Sequence, residues 1–143
     1  MGDNTISDKL YSLARGPSSI VLTYKGYEIN GNTFYMIAQD QKSTNQKSGV
    51  RFDATYNNGK KDTYYGYIEE IWELDYGPSF KVPLFRCKWV NLTGGGVKVD
   101  PQYRMTTVDL NNLGYTDEPF ILANDVAQVF YVKDMSTKPR KKR

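Results

Sequence analysis

The sequence predicts a mostly β protein: a small, antiparallel, partly open β-barrel of SH3-like or similar type, with a short helical arm before it and a disordered basic tail after it. Short runs of strand-forming residues alternate with turns rich in Gly, Asn and Pro along the chain. Aromatic residues make up 14% of the chain, and twelve of them are Tyr, which suits half-buried sheet faces. Both features favour sheet over helix.

Length and composition indicate one folded domain between two flanking segments. The chain has 143 residues, enough for a single core. Residues 1–17 are expected to form the helical arm, because apolar residues recur there at helical spacing. The β-rich domain is expected at residues 18–134 and the disordered tail at residues 135–143. No apolar stretch is long enough to span a bilayer, so we expect no membrane contact.

Turn sequences divide the domain into seven to nine expected strands. Asn30-Gly31 is a hairpin signal because both residues tolerate positive φ, and the three glycines after Thr93 permit a tight reversal. Residues 39–48 contain no apolar side chain, so we expect an exposed loop there. The expected strands are residues 20–29, 33–38, 50–54, 64–76, 80–90, 97–99, 105–110, 120–123 and 129–132, with one short turn capped by Asn124-Asp125 before the last.

The central hairpin is the most informative stretch, because its two strands carry opposite charges. The acids of the first strand and the bases of the second are Asp62, Glu69, Glu70, Glu73 and Asp75 against Lys81, Arg86 and Lys88. We expect cross-strand pairs such as Glu69 with Lys88 on the solvent face. The expected core face holds Ile68, Trp72, Leu74, Phe85, Cys87 and Trp89. This register leaves Glu70 on the core side, which is costly unless its carboxylate is paired or a bulge turns it outward.

The basic character of the chain lies mostly in its tail. Nineteen Lys and Arg residues face sixteen Asp and Glu residues, which gives a net charge of +3. Residues 138–143 hold five of the bases, and without them 14 bases face 16 acids, a net charge of −2. These five, which resemble a nuclear-import signal and also fit nonspecific phosphate binding, are Lys138, Arg140, Lys141, Lys142 and Arg143. They predict a nuclear localisation.

Two sets of side chains in the domain are candidate contact residues. The candidate DNA contacts come from the locally basic stretch and are Lys81, Arg86, Lys88, Lys98 and Arg104. The candidate aromatic contact surface is Tyr65, Tyr67, Trp72 and Trp89. With Tyr64 and Tyr76, these aromatics could line a cage for methylated lysine, as in small chromatin-reading barrels. Core and cross-strand packing explains the same residues.

The sequence lacks the side chains that most enzymes use. It has no His and a single Cys, which removes the commonest general base and leaves almost no route to a zinc site. Clustered carboxylates are the remaining catalytic candidates, and a metal-dependent nuclease would use Glu69, Glu70, Glu73 and Asp75. A solvated acidic strand that faces Lys88 and Arg86 explains them better. We therefore expect no enzymatic activity, no cofactor and no metal.

Several segments, taken in order, resemble one known family. From Tyr64 onward they are YYGYIEEIWELDYG, KVPLFRCKWVN, GVKVD and DEPFILANDVAQVFYVKD. They are similar to a plant domain of unknown function, number 4216, which typically lies near the C-terminal end of transposase-like proteins of CACTA (En/Spm-type) DNA transposons. The upstream segments LARGPSSIVLTYKGYEINGNTFY and QKSGVRF look like the part that commonly precedes this domain.

The resemblance implies an accessory role. In such transposases the strand-transfer carboxylates belong to a different, upstream domain, and this family has no catalytic residues to carry over. It implies a non-catalytic domain that mediates protein–protein or protein–DNA contacts in the nucleus, with transposase or other nuclear chains as partners and DNA as a further partner. A chromatin-reader-like aromatic cage and a metal-dependent nuclease are the alternatives.

Overall fold

The computed structural model of the protein describes Gly16 and residues 21–40, 46–78 and 80–132. The expected helical arm, apart from Gly16, and the basic tail lie outside these residues. Strands make up 55% of the described residues, and all their pairings are antiparallel. The prediction of a mostly β, antiparallel protein is confirmed. In this described part, no helix has the length and apolarity that a membrane crossing requires.

Short connections join the elements. A four-residue helix, α1 (Ile37–Asp40), follows the third strand, and a single 3-10 turn at Ala123–Asp125 follows the tenth, where the sequence predicts a short turn. The strands are β1 (Val21–Tyr24), β2 (Gly26–Ile29), β3 (Asn32–Tyr35), β4 (Gly49–Thr55), β5 (Lys61–Asp75), β6 (Lys81–Val90), β7 (Val97–Asp100), β8 (Met105–Val108), β9 (Leu113–Gly114), β10 (Phe120–Leu122) and β11 (Ala127–Gln128).

The main sheet is organised around β5, its longest strand. β6 pairs along one edge of β5, while β4 and β1 pair with successive parts of the other edge. β10 and β9 then extend the sheet beyond β6, and β11 extends it beyond β4. Within the described residues β10 and β11 do not pair with each other, so the sheet is open. The SH3-like, partly open barrel stays a prediction.

A β-bulge in β5 changes which side chains face the core. Ile68 lies opposite Cys87 and Glu70 lies opposite Arg86, so Glu69 is the extra residue between two paired positions. The extra residue shifts the alternation of side chains by one position. Glu70 is thereby turned away from the core, which is the arrangement that removes the cost of burying its carboxylate.

The second half of β5 therefore presents different residues to the core than the sequence predicts. Ile71 is fully buried, and Glu73 is only 5% exposed. Trp72 and Leu74 lie on the opposite face and are partly exposed. The prediction that Trp72 and Leu74 belong to the core was wrong, because it assumed unbroken alternation through Glu69.

The core lies between the main sheet and the β2–β3 hairpin. Phe34 of β3 packs against Phe85 of β6, with ring centroids 5.1 Å apart. Cys87 is buried as expected, and this burial raises the pKa of its thiol. The buried cluster consists of Phe34, Val50, Ile68, Ile71, Phe85, Cys87, Trp89 and Ala123.

The N-terminal strands differ from the prediction. The expected strand at 20–29 is, from Val21 onward, two strands separated by a bend at Lys25, because β1 joins the main sheet whereas β2 pairs with β3. The expected strand at 33–38 ends at Tyr35 and is followed by α1. A single straight strand cannot pair in two separate sheets, so the chain bends between them.

The loop expected at 39–48 is buried at both ends. Asp40 is 8% exposed and Ser48 is 2% exposed. The carboxylate of Asp40 accepts hydrogen bonds from the backbone N–H groups of Lys47 and Ser48, each at 2.8 Å. These bonds offset the cost of burying the charge. Residues 41–45 lie outside the described part.

The end of the domain is held by side chains more than by strand pairing. The expected strand at 129–132 was wrong, because strand structure ends with the two residues of β11. Beyond it, the Val129 N–H donates to the Gly49 carbonyl at 3.0 Å. The Tyr131 hydroxyl donates to the Gly66 carbonyl at 2.7 Å. The Tyr131 side chain therefore extends across β4, and its hydrogen bond connects residues 129–131 to β5.

Candidate functional site

An open groove of about 430 Å³ lies between strands β4 to β6 and the segment 115–122. Its volume is within the range of sites that bind small molecules or single side chains. Ten of the described residues line it, of which six are aromatic and one is charged. The lining residues of this aromatic groove are Phe52, Ala54, Tyr56, Tyr64, Trp89, Tyr115, Glu118, Phe120, Ile121 and Leu122.

Tyr64 has ring contacts with three other members of the groove lining. Its ring centroid lies 5.4 Å from that of Tyr115, and the two ring planes are 84° apart. The ring of Trp89 lies 6.5 Å away at 75°, and that of Phe52 lies 6.4 Å away at 26°. Because two of these angles are close to perpendicular, the lining presents aromatic walls in more than one direction.

Tyr115 is held in an uncommon backbone conformation. Its φ is 57°, in the left-handed region that Gly and Asn adopt more easily than an aromatic residue does. The hydroxyl of Tyr115 accepts a hydrogen bond from the Leu92 N–H at 3.1 Å, and its carbonyl accepts one from the Glu118 N–H at 3.2 Å. These bonds fix the position of a ring that is itself 41% exposed.

The described lining of the groove carries one negative charge and no positive charge. Glu118 is the charged residue among the ten that line the groove, and none of the ten is basic. At the rim, the hydroxyls of Tyr56 and Tyr64 are 2.7 Å apart. The pKa of Tyr56 is raised, mainly by this hydrogen bond and to a lesser extent by burial and by the nearby Asp62 carboxylate. The groove is thus suited to a cation or a neutral group and unsuited to an anion.

The predicted aromatic residues do not form one surface. Trp89 is 6% exposed and lies on the core face, where it lines the groove. Tyr65, Tyr67 and Trp72 lie on the opposite face of the sheet. There the Trp72 indole donates to a Glu70 carboxylate oxygen at 2.9 Å. Of the six aromatics proposed for a cage, Tyr64 and Trp89 line the groove, while Tyr76 packs against Phe80.

The predicted DNA contacts fall into two groups. The three on β6 form ion pairs with acids of β5: Lys81 with Asp75 at 3.3 Å, Arg86 with Glu69 at 3.6 Å and Glu70 at 3.7 Å, and Lys88 with Glu69 at 3.6 Å. The last of these is the predicted Glu69–Lys88 pair. Lys98 and Arg104 are exposed on the β7–β8 hairpin, which forms a two-stranded sheet of its own. DNA contact by these five residues stays a prediction.

The carboxylates of the nuclease alternative are divided between the faces of β5. Glu69 and Glu70 pair with Arg86 on the solvent face, whereas Glu73 lies on the core face. Asp75 pairs with Lys81. Within the described ranges, no group of three or more His, Cys, Asp or Glu residues is placed to hold a metal ion.

Glu73 is a buried carboxylate bound by two tyrosines. The Tyr24 hydroxyl donates to one of its oxygens at 2.9 Å, and the Tyr27 hydroxyl donates to the other. Hydrogen bonds to an ionised group are about twice as strong as those between neutral groups. The pair of bonds joins β1, the β2–β3 hairpin and β5, so this carboxylate has a structural explanation.

Tyr27 is expected to make stability fall at high pH. Burial, then its hydrogen bond to Glu73, raises the pKa of Tyr27 from 10.0 to about 12. A raised pKa in the folded state adds stability that is fully present below pH 10 and lost between pH 10 and 12. Chemical denaturation at pH 8 to 12 should show this loss. The free energy of unfolding of Tyr27→Phe should be about 1–3 kcal/mol lower at pH 8. Between pH 10 and 12 it should fall less steeply with pH than that of the unchanged chain. An unchanged slope in that variant would contradict the assignment.

The sequence did not indicate most of the groove. Phe52, Tyr56, Tyr115 and Glu118 were absent from the predicted sites because they lie far apart in the chain. Strand pairing brings them together, since β4 joins β5 while β9 and β10 join β6. The local signal was modest: Gly114 and Tyr115 precede the acidic pair Asp117-Glu118.

Comparison with known proteins supports part of the sequence resemblance. A family model described as Domain of unknown function (DUF4216) matches residues 72–142. This range includes β6 to β11, and therefore Trp89 and the Tyr115 side of the groove. Phe52 and Tyr64 lie upstream of the match. No curated protein and no solved structure matches the chain.

Proposed function

We propose that this chain is a non-catalytic contact module, the accessory domain of a transposase-like protein, that binds a partner protein through the aromatic groove. The observation that carries the proposal is the groove itself, with six aromatic residues and one carboxylate around about 430 Å³. Aromatic side chains dominate the binding energy of protein interfaces. The transposase context and the nuclear location rest on the sequence resemblance and on the basic tail.

The charges favour protein over DNA as the partner of the folded domain. Lys81, Arg86 and Lys88 already have carboxylates within 4 Å, which reduces the field available to phosphates. Lys98 and Arg104 are exposed and form no ion pair within the described part of the chain. DNA contact through these two residues and the tail is therefore the second candidate function.

Binding is also favoured over catalysis. Among the described residues, Glu118 is the one charged side chain that lines the groove, and the acids of β5 are divided between the two faces of the sheet. The partly open, SH3-like barrel belongs to the same proposal. It is supported by the bulge at Glu69, because bulges bend sheets and are frequent at barrel rims.

The proposal predicts that this chain binds the catalytic chain of a transposase-like protein that is encoded by the same DNA transposon. Isothermal titration calorimetry should show at least tenfold weaker binding for Tyr115→Asn. Asn tolerates the left-handed φ of this position, so the variant removes the ring while keeping the backbone. Tyr103→Asn, at a 66% exposed tyrosine outside the groove, should bind like the unchanged chain. Equal affinities for the two variants, or no binding by the unchanged chain, would overturn the proposal.

A DNA titration separates the second candidate from the first. Fluorescence anisotropy should compare residues 1–143 with residues 1–137 on transposon-terminal and scrambled duplexes across a salt series. We expect binding that depends on the tail and ignores sequence. If the shortened chain still prefers the terminal duplex, the domain recognises DNA, and Lys98 and Arg104 are the first residues to replace.

A further inference from the structure

We infer that the aromatic groove binds a methylated ammonium group, the side chain of a trimethyllysine in the partner protein. The inference rests on the proposed function, because it names the ligand of the same groove. It is argued from three separate features of the groove: the arrangement of its rings, its charge, and the backbone conformation of Tyr115.

Two of the three ring pairs in the lining meet close to a right angle, whereas Phe52 and Tyr64 are stacked at 26°. Tyr115 and Tyr64 meet at 84° and Trp89 and Tyr64 at 75°, so the walls of the groove face several directions. A quaternary ammonium carries its charge over a set of methyl groups and is attracted to the faces of several aromatic rings at once. A planar nucleic-acid base would instead need one ring face to stack on.

The charge of the groove complements a cation. Glu118 supplies a carboxylate in the lining. A second carboxylate, that of Asp62, lies close to the hydroxyl of Tyr56 at the rim. Among the residues that the structure describes, the lining contains no Lys or Arg that would repel a positive ligand. An anionic ligand would meet this carboxylate without a compensating base.

The composition of the lining favours a methylated over an unmodified ammonium. An unmodified Lys ammonium is strongly hydrated and needs three hydrogen-bond acceptors when it leaves water. The side-chain acceptors of the lining are the Glu118 carboxylate and three tyrosine hydroxyls, and those hydroxyls already hydrogen-bond to each other or to the Leu92 N–H, so few free acceptors replace the lost water. Methylation removes the N–H donors and keeps the charge, which matches this surface.

The conformation of Tyr115 is an independent observation. An aromatic residue at φ 57° costs more than Gly or Asn would at the same place. Strained residues persist where the surrounding structure holds them, and they concentrate at ligand sites. Here hydrogen bonds from the Leu92 N–H and the Glu118 N–H hold Tyr115 in place, and its ring forms one wall of the groove.

The test uses three peptides that differ in one side chain: Ac-Ala-Lys-Ala-NH₂, the same peptide with trimethyllysine, and the same peptide with the neutral carbon isostere of trimethyllysine. Chemical shifts in NMR titrations of the full chain give the affinities. We expect the trimethyllysine peptide to bind about tenfold tighter than either of the others. Glu118→Gln should weaken that peptide severalfold and leave the isostere unchanged. Tyr115→Asn should abolish the preference, and Tyr103→Asn should keep it.

The outcomes separate this inference from the proposed function. If the isostere binds as tightly as trimethyllysine, or if no peptide binds while the transposase chain still requires Tyr115, the inference fails and the protein-contact function stands. Binding to phosphatidylcholine vesicles in place of the peptides would assign the groove to a lipid headgroup and overturn the inference. If neither peptides nor the transposase chain binds, both proposals fail.

Discussion

Replacing Phe85 with Ala is expected to lower the free energy of unfolding by about 3–5 kcal/mol. The Phe85 side chain is fully buried and packs against Phe34 across the two layers of the core. It also lies between Ile71 of β5 and Ile121 of β10 in the strand pairing. The loss combines the transfer of the ring into water with the cavity that it leaves. Urea denaturation followed by circular dichroism gives the change directly.

The size of this effect matters because a domain of this length has a total stability of only about 5–15 kcal/mol. Phe85→Ala is therefore expected to unfold a sizeable fraction of the protein at moderate temperature. Phe130→Ala is the matched control, since Phe130 is 63% exposed and should change stability by less than about 0.5 kcal/mol. Similar losses in the two variants would mean that the core does not lie between the sheet and the β2–β3 hairpin.

Gly66→Ala is expected to destabilise the protein by about 3 kcal/mol. A β-carbon at Gly66 would lie 2.2 Å from the Lys88 carbonyl oxygen and 2.9 Å from a ring carbon of Trp89. Gly66 is paired with Val50 on one side and with Trp89 on the other, so neither neighbouring strand can withdraw without losing hydrogen bonds. Thermal and urea unfolding measure the loss.

The control for Gly66→Ala is Gly59→Ala in the β4–β5 turn. A β-carbon at Gly59 meets nothing within 4 Å, but the residue has a φ of 85°. Gly59→Ala is therefore expected to lower the free energy of unfolding by only about 1–2 kcal/mol, the cost of placing Ala in the left-handed conformation. A smaller effect at Gly66 than at Gly59 would contradict the close packing of β5 against β6. Such packing also positions the Gly66 carbonyl that accepts the bond from Tyr131.

The central hairpin could be predicted because the information for it is local. Gly77-Pro78 marks the turn, and acids on one strand face bases on the other, so register and charge agree. The Glu69–Lys88 pair follows directly from that register. Such exposed pairs each contribute only about 0–1 kcal/mol, so they report the pairing more than they stabilise it.

The bulge at Glu69 could be suspected but not placed from sequence. Unbroken alternation would have buried Glu70, and that cost was the only sign of an irregularity. The structure removes the cost by inserting Glu69, and in doing so it buries Glu73 instead. Glu73 is tolerated because the hydroxyls of Tyr24 and Tyr27 reach it from other strands. Those partners are more than forty residues away in the chain.

The sequence by itself determined the mostly β, antiparallel character of the protein, the central hairpin, the buried Cys87 and the charge pairing of β5 with β6, because each depends on residues close together or on composition. The tertiary structure decided which face of β5 is buried after Glu69, how the first strands divide between two sheets, and which aromatics form the groove. These depend on contacts between distant segments. Tyr64 and Tyr115 are fifty-one positions apart, and they become neighbours only when β9 joins β6 beside β5.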